Sequence, residues 1–277
     1  MLVNCVAYRD GRKLKDIRPE EIAATLSESG CFVWVGVRDS DAAELKYLQQ
    51  QFGLHELAVE DAHHGHQRPK LDEYGDALFA VLHVVEFNGS GELEVGELAV
   101  FAGENYVLSA RQHFEHGFQE VRARCERNPE LMKHGPGFVL YALMDSVVDR
   151  YLPVLDTLEA ELLEVEDRMF ERTASPRELI EELYSLKRRM MVLQHAAVPL
   201  LESVSNLLGS MAPRVCHGLK DYYRDVYDHL LRVVKTIEAR REMVTTAIQV
   251  NLSLITLAEG EVTKRLASYA ALFPCPR

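Results

Sequence analysis

From Leu219 to Phe273 the chain runs without a proline, and its apolar residues keep a helical spacing for most of that distance. They fall at Leu219, Tyr223, Val226, Leu230, Val233 and Ile237, then at Val244, Ala247, Leu254, Ala258, Val262, Leu266 and Tyr269. The rhythm skips near Arg240 and Arg241 and again near Asn251. Gly260 costs about 1 kcal/mol or less, so a helix remains the best fit. About 55 residues at ~1.5 Å each give a helix of ~80 Å. A compact domain of this size cannot bury such a helix, so it is expected to act as a stalk reaching for another subunit or a membrane.

Two further helices precede it. Met144, Val148, Tyr151, Leu155, Leu158, Leu162, Val165 and Met169 recur in alternating steps of four and three, as do Leu179, Leu183, Leu186, Met190, Leu193, Ala197, Leu200, Val204 and Leu207. A 3.5-residue repeat makes a seam that must bury against another helix. Between the two, Ser175, Pro176 and Glu178 form a capping box with proline at the first helical position. The spacing therefore predicts an antiparallel hairpin, with Pro153 and Pro199 as kink points.

The first part of the chain alternates strands and helices. "LVNCVAY" and "CFVWVGV" read as strands, "RPEEIAATLSESG" as a helix, and helices are expected from Asp41 to Phe52 and from His55 to His63. "QRPKLDEYGD" reads as a loop, because Pro69 lacks an amide hydrogen and restricts Arg68. Strands follow at Ala77 to Phe87, Leu93 to Ala102 and Tyr106 to Ala110, joined by glycine-containing turns. The pattern suggests a mixed sheet covered by helices, with Trp34 in the core.

The 277 residues carry a net charge of −12, which argues against nucleic acid or an anionic membrane surface as a partner and suits a protein that handles cations. Five scattered cysteines without a C-x-x-C read as free thiols in a reducing compartment. The N-terminus does not read as a signal peptide, and no apolar run reaches the ~18 residues of a membrane span.

Candidate ligands occur in three places. Glu60 and Asp61 are adjacent on a predicted helix, about 100° apart, and can serve two neighbouring sites; hard cations take a few carboxylates and keep waters. The "HHGH" that follows could hold a softer ion such as Zn²⁺, although loop histidines are usually only solvated. Asp221, Asp225 and His229 lie four apart on one helix face, where a carboxylate below an imidazole binds a divalent ion or simply makes a hydrogen bond. The first hairpin arm, with Asp149, Asp156, Glu159, Glu161 and Glu164 among its acids, reads as a solvated face paired to Lys187, Arg188 and Arg189, or as a cation-attracting surface. No nucleophile elbow, P-loop, H-E-x-x-H or dinucleotide fingerprint occurs, so no enzyme is expected.

Taken together, "EDAHHGHQRPKLDEYGDALFAVLH", "YALMDSVVDRYLPVLDTLEAEL" and "YYRDVYDHLLRVVKTIEARREMV" resemble the cytosolic part of CorA-type divalent-cation transporters across essentially the whole chain. The resemblance implies an α+β fold. An α/β/α layered domain with a mixed sheet would occupy residues 1–130, an acidic helical hairpin 131–210, and the stalk helix 211–277. It implies a homopentamer at the cytoplasmic face of the cell membrane that handles Mg²⁺, with Co²⁺, Ni²⁺ or, in a zinc-transporting relative, Zn²⁺ as alternatives. Matched residue by residue, inter-subunit metal sites fall on Asp61 and Asp225, with Glu60, Asp145 and His229 around a neighbouring ion; His66 matches a structural position.

The family's pore helix and its Gly-Met-Asn motif have no counterpart before "FPCPR". The chain as given is therefore expected to be soluble and cytoplasmic, to conduct no ions, and to meet the membrane only through a segment outside it. Its expected role is metal sensing: divalent ions between subunits hold the closed oligomer together. A helical oligomerisation scaffold that senses nothing and a His/Asp metallo-hydrolase are the rival readings.

Overall fold

The computed structural model describes residues 1–114, 116–171, 175–209 and 212–272. Its sheet opens with a hairpin that the sequence reading passes over, β1 (Leu2–Arg9) and β2 (Arg12–Asp16). Asp10 and Gly11 both take positive φ, 51° and 77°, as a two-residue turn of matching twist requires. Every residue of β2 is exposed, so no apolar alternation announces it.

Five more strands complete the sheet: β3 (Cys31–Arg38), β4 (Lys70–Tyr74), β5 (Ala77–Phe87), β6 (Leu93–Ala102) and β7 (Tyr106–Gln112). The order is β2-β1-β3-β7-β6-β5-β4. Only β3 and β7 run parallel, so the sheet is mixed, as expected. The segment expected as a loop after Pro69 is instead edge strand β4. Pro69 stands just before its first paired residue, so the missing N–H removes no ladder bond.

Helices cover both faces. A 3-10 turn at Pro19–Glu21 leads into α1 (Ile22–Leu26), and α2 (Ala42–Phe52) and α3 (Glu56–His64) follow β3. The Asp41 carboxylate caps α2 by accepting from the Ala43 and Glu44 amides at 2.9 and 2.8 Å. Ile22, Leu48, Phe52, Leu54, Ala58 and Ala62 pack on Val33, Val35, Phe101 and Leu108 of one sheet face. Residues of opposite parity, such as Tyr8 and Trp34, point to the other face. There α4 (Gln119–Glu126) receives the Tyr8 hydroxyl on Glu126 at 2.8 Å and lays Arg122 over the Trp34 ring at 5.0 Å. After α5 (Pro129–Met132), α6 (Pro136–Glu171) holds Tyr151, whose hydroxyl donates to the His83 carbonyl at 2.6 Å. Trp34 is 2% exposed and belongs to the core.

The remaining helices are α7 (Pro176–Leu207) and α8 (Lys220–Leu272). The chain divides into two compact units, one of Met1–Val154 with Leu193–Val234, the other of Leu155–Val192 with Lys235–Arg277. In the second unit the seam residues of α6 and α7, from Leu155 to Met169 and from Leu179 to Met190, are buried. Each such leucine is worth roughly 1.5–3 kcal/mol. The capping box forms as expected: the Ser175 hydroxyl accepts from the Glu178 amide, and the Glu178 carboxylate from the Ser175 amide, both at 3.2 Å. Acids of the first arm pair across the unit, Glu161 with Arg189, Glu159 with Arg240, and Arg168 of the same arm with Glu182.

Asn251, read as a break in the stalk seam, is 2% exposed and donates to the Pro176 carbonyl at 3.0 Å. Toward its end the seam finds no cover among the described residues: Val262, Leu266 and Tyr269 are all more than half exposed. No described helix is long and apolar enough to cross a membrane.

Candidate metal centre

In the first unit α6 and α8 come together at a glycine. A Cβ on Gly137 would overlap the Val215 carbonyl oxygen and come within 2.9 Å of Leu219. Tyr223, fully buried, donates its hydroxyl to the Gly137 carbonyl at 2.8 Å. That approach fixes the register of the two helices. Two turns further along α6 stands Asp145, 6% exposed within the apolar run of Leu143, Met144, Val147 and Val148. On α8 the matching turn carries His229.

Asp145, Asp149 and His229 each offer a ligand atom, and these atoms lie within 4.8 Å of one another. They run from buried through half-buried to exposed in the order Asp145, His229, Asp149, so the group opens to solvent on one side. Asp145 is held by Arg124, whose Nη1 lies 2.9 Å from Oδ2 while Nη2 donates to the Ala142 carbonyl at 3.2 Å. The Asp149 carboxyl is pushed above the ordinary value, first by desolvation and then by the Asp145 charge, with His229 and Arg124 pulling the other way. His229 Nε2 lies 3.8 Å from Asp225 Oδ1 one turn below. Two carboxylates and an imidazole with an open side fit a divalent ion that keeps several waters. The imidazole suits Co²⁺, Ni²⁺ or Zn²⁺ better than Mg²⁺.

Arg124 and a cation compete for Asp145. Replacing Arg124 by methionine is therefore expected to destabilise the ion-free protein by about 2 kcal/mol, below the full cost of breaking a buried pair because Arg124 is itself 42% exposed. Divalent ion should recover part of the loss. Urea titrations with and without Mg²⁺ measure both quantities.

Of the residues singled out from sequence, Asp145, Asp225 and His229 are thus brought to one place. Asp61 and Glu60 stand elsewhere, on α3. Asp61 accepts from Lys70 Nζ at 2.8 Å, and Lys70 also reaches Asp72 at 2.6 Å. Burial works against the Lys70 ammonium, but its bonds to the two carboxylates outweigh it and raise its pKa. The Glu60 side chain is exposed, and its carbonyl faces His64 Nδ1 at 3.0 Å. His63 and His64 are exposed and join no metal-competent group among the described residues. Asp149 is the member the sequence reading left in the solvated acidic arm. The signal was present: it lies four residues after Asp145, the same spacing that singled out Asp225 and His229.

Residues 29–277 match the family described as CorA-like Mg2+ transporter protein. The cobalt/magnesium transport protein CorA of Thermotoga maritima is 31% identical over 251 residues, covering 89% of this chain and 70% of that protein. A Bacillus subtilis protein, named provisionally as metal ion transporter YfjQ, is 31% identical over 210 residues. That match takes in 76% of this chain but only 64% of the relative's length. Among solved structures, the complete CorA magnesium transporter of Methanocaldococcus jannaschii superposes with a TM-score of 0.77 at 19% identity, over 99% of this chain and 84% of that one. Its likeness shows the fold: a mixed sheet with long helices. By sequence over most of its length, the chain belongs to the CorA-like Mg2+ transporter family.

Proposed function

We propose that this chain is the ion-sensing part of a divalent-cation transporter and has no enzymatic role. The observation that carries the reading is the grouping of Asp145, Asp149 and His229, with Asp225 one turn away, in a chain of this family. Asp61 and Glu60 belong to the same device if a neighbouring copy presents them to Asp225, as a homopentamer of the chain would. Two carboxylates ~5 Å apart across such an interface repel by ~3 kcal/mol at an effective dielectric of ~20, and a bound divalent ion reverses the sign. Sensing at millimolar ion needs only ~4 kcal/mol of binding, so few direct ligands and many waters suffice. Ion occupancy then shifts the population toward the closed oligomer at the inner face of the cell membrane.

Mg²⁺ is the proposed physiological ion, by concentration; Co²⁺ is expected to bind the group more tightly because of His229. The same imidazole favours, as the second reading, a zinc-handling relative. Sedimentation of the chain with Mg²⁺, Co²⁺, Zn²⁺ or chelator, combined with limited proteolysis, tests the proposal. Ion should promote association and protect against cleavage, and Asp61→Ala with Asp225→Ala should remove both effects. Association and protection indifferent to every ion would leave a helical scaffold and sink the sensor reading.

A further inference from the structure

The sheet face under α3 is built in rungs. The register pairs Phe79 with Phe101 and Phe101 with Leu108, then Val81 with Ala99 and Ala99 with Ala110. All of these belong to the core on that face. The next rung on the same face is polar: His83, Glu97 and Gln112, paired in the same way. Glu97 is 6% exposed, at the end of an otherwise apolar layer. Burial pushes its carboxyl above the ordinary value, with the Gln67 amide and then His66 pulling the other way. A carboxylate in such a place is costly unless it is given partners.

The partners are the end of α3 and the turn that follows it. Glu97 Oε2 accepts from the Gln67 amide at 3.1 Å. His83 Nε2 donates to the Gln67 carbonyl at 2.7 Å, so Gln67 is held at both of its backbone groups. Burial holds the His83 imidazole below its ordinary value, and the single N–H of the neutral ring is the one this bond uses. Gln112 Nε2 donates to the Ala62 carbonyl at 2.8 Å, which satisfies one of the last carbonyls of α3. Gly65 leaves the room for it, since a Cβ there would come within 2.9 Å of Gln112 Oε1. Between these bonds the chain takes two positive φ values in succession, 62° at Gly65 and 60° at His66. For histidine that conformation is sparsely populated and persists where the surroundings fix it.

The turn held in this way joins two residues that meet. Asp61 directly precedes Ala62, and its carbonyl receives the Gly65 amide at 3.1 Å. Lys70 opens β4 just past Pro69 and bonds Asp61 Oδ2 at 2.8 Å. We propose that Glu97, with His83 and Gln112 beside it, is a positioning residue for Asp61: the polar rung clamps the turn from Gly65 to Pro69 and so sets the Asp61 carboxylate where a divalent ion shared with a neighbouring copy can reach it. Glu97 acts through the turn, by its bond to Gln67. The assignment rests on the reading of Asp61 as an ion ligand.

The test uses the full chain as Glu97→Ala, Glu97→Gln and Asp61→Ala. Glutamine keeps a side-chain oxygen for the Gln67 amide, and alanine does not. In ion-free protein, amide exchange across residues 61–72 should quicken at least about tenfold in Glu97→Ala, with β1 and β3 unchanged, and return most of the way in Glu97→Gln. The Mg²⁺ concentration for half-maximal association should rise several-fold in Glu97→Ala and recover in Glu97→Gln, a pattern that a general loss of stability does not give. Gln112→Ala loosens the other side of the rung and serves in place of Glu97→Ala if that protein does not fold. Asp61→Ala reports on the parent reading: an unshifted ion response in it removes Asp61 as a ligand, and the positioning role with it. Where Asp61→Ala does weaken the response, unchanged exchange over 61–72, or an unshifted Mg²⁺ midpoint in folded Glu97→Ala, overturns the positioning role alone.

Discussion

Replacing Asp145 and Asp149 together by alanine is expected to abolish the stabilisation that divalent ions confer. At an ion concentration about 100 times its dissociation constant, a single site adds ~2.7 kcal/mol, or roughly 5 to 10 °C in melting temperature. The double variant removes both carboxylates from the group of three and leaves His229 alone, so affinity should fall at least about a hundredfold. The single variant Asp149→Asn separates two effects of opposite sign. The folded-state pKa of Asp149 is raised, so its contribution to stability is full below the unfolded value near ~3.9 and is lost as pH rises through the folded value. At neutral pH the ionised carboxylate is therefore a cost that an ion relieves. Asparagine should raise the ion-free melting temperature at pH 7 while reducing the ion-induced shift, and the two curves should converge as pH falls toward 4. Thermal melts across pH, with Mg²⁺ and with chelator, measure this. An ion-induced shift that survives the double substitution would place the ion elsewhere.

Much of the fold could be read from periodicity. The strands from Ala77 to Phe87 and from Leu93 to Ala102 have the expected ends, and the 3.5-residue seams of α6 and α7 are buried at every position named from sequence. What escaped had no periodic signal. β2 is exposed throughout, and β4 has mostly half-buried residues behind a proline; both are edge strands paired on one side, and β4 reaches the core through Tyr74 rather than through an apolar alternation. The Arg9-Asp10-Gly11-Arg12 turn was the available clue to β2. The end of the α8 seam was also hidden, because apolar spacing says which face would be covered but not whether anything covers it. Asn251 marks the change, and only its bond to the Pro176 carbonyl shows why.

The candidate site divides in the same way. Asp225 and His229 are legible because both lie on one helix at a four-residue spacing. Their meeting with Asp145 and Asp149 depends on how α8 packs on α6, which no local pattern encodes. Arg124 could not be foreseen at all: it comes from a third helix, and its role follows from the burial of Asp145.

The residue that makes that meeting happen is Gly137, and Gly137→Val should destabilise the protein by about 4 kcal/mol. The clash is with the Val215 carbonyl oxygen, a backbone atom that no rotamer change can clear. Relief requires α6 to move away from the 3-10 turn at Arg214–Cys216 that leads into α8, which strains the bond from Tyr223 to the Gly137 carbonyl and disturbs the approach that sets His229 opposite Asp145. Tyr223→Phe removes that bond and the hydroxyl's hydrogen bond with the Cys216 thiol, without adding bulk, and should cost about 1 to 2 kcal/mol. Gly260→Ala is the opposite case: nothing lies within 4 Å of a Cβ there, and the residue sits in the interior of α8, so alanine should add about 0.5 to 1 kcal/mol. Urea unfolding of the three variants checks the order, and ion titration of the Tyr223→Phe protein checks the link to the site. A folded Gly137→Val protein with undiminished stability and ion response would mean that the helix register is set elsewhere, because the overlap leaves the native approach no room for the two added methyl groups.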